Sequence, residues 1–269
     1  MRVGFIGGGN MASAIVGGLV AHGSAAAGFH IVEIDAARRA ELGARLGVTT
    51  APAIDAAIAA CEVVVMATKP QQMREAAALR PHLDRQLVVT IAAGIVLKDL
   101  ARWLGDYANL VRVMPNTPAL IHAGITGMYA LPSVDAAGRA AAEQLLGAVG
   151  AVVWFDREEL LDAVTAVSGS GPAYVFYFIE ALQRAGERLG MTADQARRLA
   201  QGTFLGASRL AAESTDDVAT LRARVTSKGG TTERAVGALQ AAHVDALFIA
   251  AVESAAQRSR ELGEEFGRG

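Results

Sequence analysis

Short apolar runs alternate with amphipathic segments through the first 155 residues of the chain. The β-branched run at residues 62–67 is typical of a strand buried in a parallel sheet. Comparable runs predict further strands at residues 2–6, 29–33, 87–91, 109–113, 125–130 and 151–155. Apolar positions at helical spacing predict helices at residues 10–22, 36–46 and 135–146. Strands that alternate with helices in this way favour an α/β fold with a mostly parallel sheet.

The turn between the first strand and the first helix consists of small residues. Gly7, Gly9 and Ala12 match the spacing at which a glycine-rich turn lets the backbone approach a pyrophosphate. Asn10 and Met11 lie at the helix start, where unpaired N–H groups and the helix dipole favour phosphate. Because a strand precedes this turn and a helix follows it, the five residues predict a dinucleotide site rather than a plain glycine-rich turn.

Two acidic residues follow the second predicted strand, roughly twenty residues beyond the glycine turn. Glu33 and Asp35 can accept a hydrogen bond from a ribose hydroxyl at this position, and their charge repels the 2′-phosphate of NADPH. Arg38 and Arg39 have the opposite effect, because either guanidinium can pair with a 2′-phosphate. The choice between NADH and NADPH stays open, as does the alternative that both acids are ordinary solvated loop carboxylates.

The carboxyl ends of parallel strands line the ligand crevice of such a sheet. Thr68, Lys69 and Pro70 follow one predicted strand, and the small residues Ala92 and Ala93 follow the next. We expect these five residues to contact the cofactor, with the two alanines leaving room for a flat ring against the backbone. The alternative for Lys69 is an ordinary loop lysine.

Asn116 lies at the same edge of the predicted sheet, in a loop that Pro115 and Pro118 stiffen. We expect its side chain to bind the substrate. The alternative is that Asn116 serves only as a turn former.

Only helices are predicted from about residue 158 onward. Pro172 suits the first position of a helix, and Gly190 marks its end. Thr192 and Gln195 form a capping box for a helix that extends to about residue 213. Further helices are predicted after residue 215, after residue 230 and at residues 244–262.

The change from alternating elements to helices alone predicts two domains. We expect a Rossmann-type dinucleotide-binding domain at residues 1–157 and an all-α dimerisation and substrate domain at residues 158–269. Residues 174–179 are apolar on every side of their helix, which indicates burial all round. Because few other predicted helices are free to cover this segment, we expect a second subunit to cover it.

A second glycine-containing loop precedes the helix that starts after residue 230. Ser227, Gly229, Gly230, Thr231 and Thr232 combine three hydroxyl groups with two glycines at this helix start. Backbone N–H groups there would face an anion, so a small substrate that carries a carboxylate suits the loop. The alternative is a glycine-rich loop with a threonine cap.

Composition and charge indicate a soluble globular enzyme. The formal net charge is -2 and the three lysines form no basic patch, so no nucleic-acid partner is expected. The five histidines are scattered without paired spacing, so we predict no metal site. Cys61 is the single cysteine and the chain begins in a strand without a leader, which favours a cytoplasmic location. The apolar run at residues 173–179 is too short to cross a membrane.

Several ordered motifs, taken together, resemble those of the pyrroline-5-carboxylate reductases. The similarity covers nearly the whole chain, and the set is far more specific than any one motif. The motifs are residues 5–12 (FIGGGNMA), 67–71 (ATKPQ), 91–94 (IAAG), 111–120 (VRVMPNTPAL), 167–176 (VSGSGPAYVF) and 226–232 (TSKGGTT).

The resemblance implies the reduction of 1-pyrroline-5-carboxylate to L-proline, the last step of proline biosynthesis, by hydride transfer from NADPH or NADH. It also implies a Rossmann domain that carries the cofactor and a helical domain that interlocks with its twin as a dimer. Further assembly of this homo-oligomer, to a decamer of dimers, is implied as well. In this family the substrate site lies at the dimer interface.

Residue roles follow from the resemblance by matching position. Thr232 is implied to hydrogen-bond the ring nitrogen of the substrate, and Ser227 and the backbone of Gly230 and Thr231 to hold its carboxylate. Asp35 stands where many family members have a serine that meets the 2′-phosphate. This difference leaves the usual NADPH preference of the family open for this chain.

Two other functions fit part of the pattern. A β-hydroxyacid dehydrogenase shares the two-domain plan, but it uses a lysine on the helix after a glycine-containing segment, and residues 172–190 contain no lysine. A dinucleotide-sensing protein would bind NAD(P)H without turnover. The loop of hydroxyl groups and glycines favours the enzyme.

Overall fold

The computed structural model describes residues 1–267, and within them eight strands form one sheet. The strands are β1 (Val3–Ile6), β2 (Phe29–Val32), β3 (Thr49–Ala51), β4 (Val63–Met66), β5 (Leu87–Thr90), β6 (Leu110–Met114), β7 (Gly124–Ala130) and β8 (Gly150–Trp154). Their order across the sheet is β3-β2-β1-β4-β5-β6-β7-β8. Neighbouring strands are parallel except β6 and β7, which are antiparallel. The predicted α/β fold is confirmed.

Helices lie between the strands and continue alone after β8. The α-helices are α1 (Asn10–Ala21), α2 (Ala36–Leu46), α3 (Ala56–Ala59), α4 (Met73–Ala76), α5 (Leu97–Trp103), α6 (Ala136–Gly147), α7 (Leu160–Val164), α8 (Gly171–Arg188), α9 (Ala193–Glu213), α10 (Val218–Arg224), α11 (Thr231–Ala241) and α12 (Val244–Gly267). Thr192 and Gln195 form the predicted capping box at the start of α9. A π-helical turn, Thr165–Gly169, joins α7 to the glycine-containing entry of α8.

The chain crosses from one half of the sheet to the other between β3 and β4, and β4 pairs with β1. Ile6 is opposite Met66 in this pair, so the turn after β1 lies beside the residues that follow β4. In open α/β sheets, ligands bind in the crevice at such a switch point, outside the carboxyl ends of the strands. The topology therefore brings two of the predicted cofactor segments to the same place.

Two apolar clusters pack on opposite faces of the sheet. Val63 and Val65 belong to one cluster and Val64 and Met66 to the other, because successive side chains of a strand point to opposite faces. Ile15 of α1 is fully buried in the first cluster. Both faces of the central strands are thus covered, which explains why their sequences are apolar throughout rather than alternating.

Residues 171–253 form a second compact unit, built of α8 to α11 and the start of α12. Among the described residues, neither apolar cluster includes a member of this unit. Phe176 and Tyr177, in the run that the sequence predicts to be buried, are 64% and 69% exposed within the single chain. Large apolar side chains exposed in this way mark a surface for contact with another protein. This surface is consistent with the prediction that a second subunit covers α8.

The first compact unit extends beyond the predicted Rossmann domain. Among the described residues it contains residues 1–170 and 254–267, whereas the sequence predicts a division at residues 157 and 158. The reason is a cluster of polar contacts in which Arg112 of β6 pairs with Glu158 and Asp162, and the Ser259 hydroxyl donates to Asp162. The last two residues of the predicted second domain, 268 and 269, lie outside the described residues.

Within residues 1–267, no single helix is long and apolar enough to span a membrane, although the bent pair α11 and α12 passes by length and composition alone. Cys61 is buried, and this burial raises the pKa of its thiol. In the same part of the chain, no group of three or more His, Cys, Asp or Glu side chains is arranged to hold a metal ion.

Candidate active site

The turn after β1 has the geometry that only glycine supplies. Gly7 has a φ of +103°, and a Cβ placed there would lie 2.8 Å from the carbonyl oxygen of Ala67. Its N–H donates to the carbonyl of Val32 at 2.8 Å, which fixes the turn to β2. A Cβ at Gly9 would meet nothing within 4 Å, so this position leaves open space in front of the backbone. Ala12 is fully buried, where a larger side chain would separate α1 from the sheet.

The first turn of α1 is free to meet an anion. Gly9 is its N-cap and supplies no side-chain hydrogen bond, whereas Asp35 caps α2 through the N–H of Arg38. Asn10 is exposed at the start of α1, and Met11 packs partly against the core. Uncapped N–H groups and the positive end of the helix dipole favour a phosphate here.

A cavity of about 650 Å³ lies at the switch point. Five of the predicted cofactor residues line it, namely Gly7, Gly9, Glu33, Thr68 and Lys69. The Thr68 hydroxyl is buried, and within residues 1–267 it has no hydrogen-bond partner. A cavity beside a glycine turn, with an unpartnered hydroxyl in its wall, fits a dinucleotide.

The two acidic residues after β2 have different surroundings. Glu33 lines the cavity, and its carboxylate accepts hydrogen bonds from the backbone N–H groups of Gly8 and Asp35. Asp35 is exposed and its carboxylate is used as the α2 cap. A contact between Asp35 and the cofactor stays a prediction. The structure shows that Asp35 is the N-cap of α2.

The remaining predicted cofactor residues lie next to the switch point. Pro70 begins a short 3-10 turn directly after Lys69. Ala92 is buried and Ala93 half-buried after β5, and the following Gly94 packs closely on the backbone of Gly263 in α12. This packing holds the chain after β5 in place, while contact of the two alanines with the cofactor stays a prediction.

Asn116 joins three segments of the first unit. It is 9% exposed, its amide nitrogen donates to the carbonyl of Ser168, and its amide oxygen accepts from the N–H of Ile125. These bonds give Asn116 a structural role at the end of β6. Its predicted contact with substrate stays a prediction. Such a contact would use the second N–H or the second oxygen lone pair of the amide.

The predicted substrate loop belongs to the second unit and precedes α11. Gly229 has a φ of +75° and its N–H donates to the Glu233 carboxylate at 2.7 Å. A Cβ at Gly230 would lie 2.6 Å from the Ser227 hydroxyl oxygen. The glycine therefore lets the Ser227 hydroxyl approach the start of α11.

The start of α11 repeats the chemistry of the start of α1. Gly230 is the N-cap and makes no side-chain capping bond, and Thr231 and Thr232 are the first two residues of the helix. Thr231 is exposed and Thr232 half-buried. Two hydroxyl groups and uncapped N–H groups thus stand at one helix terminus, an arrangement suited to a carboxylate.

Sequence reasoning missed Gly8, which lies beside the cavity, and two residues that line it. Gly8 supplies the N–H that holds Glu33, and a Cβ at Gly8 would lie 2.6 Å from the Leu42 side chain. A third glycine between Gly7 and Gly9 is the sequence signal that points to this position. Gln72 and Glu75 also line the cavity, but they belong to no motif that would single them out.

Comparisons with known proteins identify the family of this chain. The family model described as pyrroline-5-carboxylate reductase dimerisation matches residues 158–262, and the one described as NADP oxidoreductase coenzyme F420-dependent matches residues 2–94. The pyrroline-5-carboxylate reductase of Pseudomonas aeruginosa is 46% identical over 99% of this chain and 98% of its own length. The Synechocystis enzyme of the same name is 40% identical over 98% of this chain and 99% of its own.

Solved structures give the same result. A pyrroline-5-carboxylate reductase from Coxiella burnetii superposes with a TM-score of 0.93 at 39% identity, covering 97% of this chain and 98% of that one. The pyrroline carboxylate reductase of Plasmodium falciparum with NADP bound has a TM-score of 0.86 at 25% identity, with 98% of each chain covered. The chain therefore belongs to the pyrroline-5-carboxylate reductases, the NAD(P)H-dependent oxidoreductases that catalyse the last step of proline biosynthesis.

Proposed function

We propose that the loop at residues 226–232 binds 1-pyrroline-5-carboxylate while the crevice at the carboxyl ends of β1 and β4 binds NAD(P)H. The observation that carries this proposal is the geometry at the start of α11. Gly230 is the N-cap there and provides no side-chain cap, and the hydroxyl groups of Ser227 and Thr232 lie on either side of it in the sequence. The chain reduces the cyclic C=N bond of this substrate and forms L-proline.

The substrate carboxylate suits the uncapped terminus. In this proposal the N–H of Thr231 and the hydroxyl of Ser227 donate to its oxygens. The Gly230 N–H already donates to the Ser227 carbonyl at 3.0 Å, so it closes the loop and supplies no free donor. The Gly229 N–H is already bound to Glu233 at 2.7 Å, so Gly229 contributes through its left-handed turn rather than through a donor. Charge-assisted bonds of this kind are stronger than bonds between neutral groups and fix the orientation of the ring.

Thr232 is the residue proposed to contact the reacting bond. Its hydroxyl bonds the ring nitrogen, next to the imine carbon. NAD(P)H, when bound, would supply a hydride to this carbon as the π electrons of C=N become the nitrogen lone pair. A protonated imine is already electrophilic and its nitrogen keeps its proton, so the chain needs no strong general acid. Its residues act by positioning the two reactants and excluding water.

The chain self-associates through its helical part, which the dimerisation family model matches. Exposed apolar side chains of α8, such as Phe176 and Tyr177, supply a surface for this contact. We propose that the substrate site lies at the dimer interface and that dimers assemble further into a decamer of dimers. Sedimentation equilibrium distinguishes a dimer from the larger particle. A cytoplasmic location stays a prediction.

Replacing Thr232 by alanine is expected to lower kcat/KM by about tenfold to a hundredfold. Loss of one hydrogen bond to the substrate costs roughly 1–3 kcal/mol, which corresponds to this change in rate. The measurement is the initial rate of NAD(P)H oxidation over a range of imine concentrations.

The matched variant Thr232→Ser keeps the hydroxyl group. It is expected to retain most of the activity, with the cofactor Kd unchanged in both variants. Near-normal kcat/KM for Thr232→Ala, or equal losses for alanine and serine, would remove Thr232 from its proposed role.

A further inference from the structure

We propose that Glu33 makes this enzyme select NADH over NADPH. The inference rests on the proposed function, because it assigns a preference to the cofactor that the cavity at the switch point is proposed to hold. Glu33 is the specificity-determining residue in this account, and its carboxylate acts both by its charge and by the donors that it occupies.

The Glu33 carboxylate is held in one position by the backbone. Its Oε2 atom accepts from the Gly8 N–H at 2.9 Å, and its Oε1 atom accepts from the Asp35 N–H at 3.0 Å. Gly8 belongs to the glycine turn, so the carboxylate is tied to the segment that is proposed to receive the pyrophosphate. A carboxylate has about four lone-pair sites, which leaves two for the ribose hydroxyls of NADH.

A 2′-phosphate meets two obstacles at this position. Its negative charge would lie beside a carboxylate that the backbone bonds prevent from moving away. The N–H groups of Gly8 and Asp35, which are suitable phosphate donors, are already used by Glu33. Binding NADPH would therefore require these bonds to break, whereas NADH only adds bonds to the free lone pairs.

The charged groups around the cavity do not offset Glu33. Two carboxylates, those of Glu33 and Glu75, line the cavity with a single lysine, Lys69. His82 is the other titratable side chain in the cavity wall. Lys69 follows β4 rather than β2, on the other side of the glycine turn.

The two arginines of α2 are engaged elsewhere. Arg38 donates to the Gly8 carbonyl, to the Ser13 hydroxyl and to Glu41, and it lines a separate cleft between α1 and α2. Arg39 donates to the carbonyls of Glu33 and Ile34. Arg38 thus holds the glycine turn and the start of α1, Arg39 holds the loop that carries Glu33, and neither lines the cavity.

The test is the Kd of NADH and of NADPH, measured by fluorescence titration of the dimeric protein without imine. The wild-type protein is expected to bind NADH at least about tenfold more tightly. Glu33→Ser removes the charge and frees both N–H donors, so it is expected to shift the ratio of the two Kd values toward NADPH by about a hundredfold. Equal affinities in the wild type, or an unchanged ratio in Glu33→Ser, would overturn the inference.

Two further variants keep the test decisive. Glu33→Gln preserves the length of the side chain and removes only its charge, so it is expected to shift the ratio of the two Kd values in the same direction. This variant replaces Glu33→Ser in the test if Glu33→Ser fails to fold. Glu62→Ser is the matched control, because Glu62 also accepts a backbone N–H, from Arg2 at 3.0 Å, but lies at the amino end of β4. Both Kd values are expected to stay unchanged in this control, and a shift there equal to that of Glu33→Ser would contradict the assignment.

The binding ratio separates this inference from the proposed function. Absence of imine reduction would contradict the function while the ratio could still be read. Reduction with a preference for NADPH would overturn only the role of Glu33.

Discussion

Gly7→Ala is expected to weaken dinucleotide binding by about a hundredfold, or roughly 2.7 kcal/mol. Residue 7 has a φ of +103°, which costs a residue with a side chain roughly 1–3 kcal/mol. The added Cβ would also lie 2.8 Å from the backbone oxygen of Ala67, so the turn must move away from β4. This movement widens the gap between the two segments that are proposed to flank the pyrophosphate. The measurement is the Kd of NADH and NADPH by titration.

Gly17→Ala is the control for this variant. Gly17 lies within α1, and a Cβ there would be 3.9 Å from Leu46, an ordinary contact. Alanine is preferred over glycine inside helices by about 1 kcal/mol, so this variant is expected to keep its affinity and its stability. An unchanged Kd for Gly7→Ala in a folded protein would contradict the account of the glycine turn.

Arg112→Ala is expected to lower the free energy of unfolding by about 3–5 kcal/mol. Arg112 is 2% exposed, and its guanidinium lies 3.1 Å from the Glu158 carboxylate and 3.6 Å from that of Asp162. Removing it leaves two partly buried carboxylates without their cation. The same carboxylates accept from the N–H of Leu97 and the hydroxyl of Ser259, so Arg112 also helps to position the contacts of α5 and α12.

Arg45→Ala is the matched control for the loss of an arginine. Arg45 pairs with Glu41 at 3.6 Å, and both side chains are about half exposed. Exposed ion pairs contribute about 0–1 kcal/mol, so this variant is expected to unfold near the wild-type midpoint. Urea unfolding of all three proteins at one protein concentration measures the difference. Equal midpoints for Arg112→Ala and wild type would show that the pairs add nothing to stability.

The sequence predicts the sheet well because buried parallel strands have a strong pattern. All seven predicted strands are present, since each is a short and largely apolar run bounded by turn residues. β3 escapes prediction because Thr49–Ala51 is only three residues long and lies at the edge of the sheet, where no apolar run is needed. The helix starts were predictable where a cap marks them, as at Thr192.

Contacts between distant parts of the chain could not be predicted. Arg112 lies in an apolar strand, and no spacing rule connects it to Glu158, which is 46 residues away. Glu33 could be assigned to the end of a strand, but its binding by the Gly8 N–H depends on the fold of the turn. For Asn116, sequence suggests a turn former or a ligand, and the structure shows bonds to two separate segments.

The most direct measurement is the oxidation of NADH and, separately, of NADPH by the purified protein when 1-pyrroline-5-carboxylate is added, followed by absorbance. The account predicts oxidation that depends on the imine, falls by about tenfold to a hundredfold in Thr232→Ala and has a higher kcat/KM with NADH. Cofactor binding without imine-dependent oxidation of either dinucleotide would contradict it and favour a protein that senses the dinucleotide or reduces another imine.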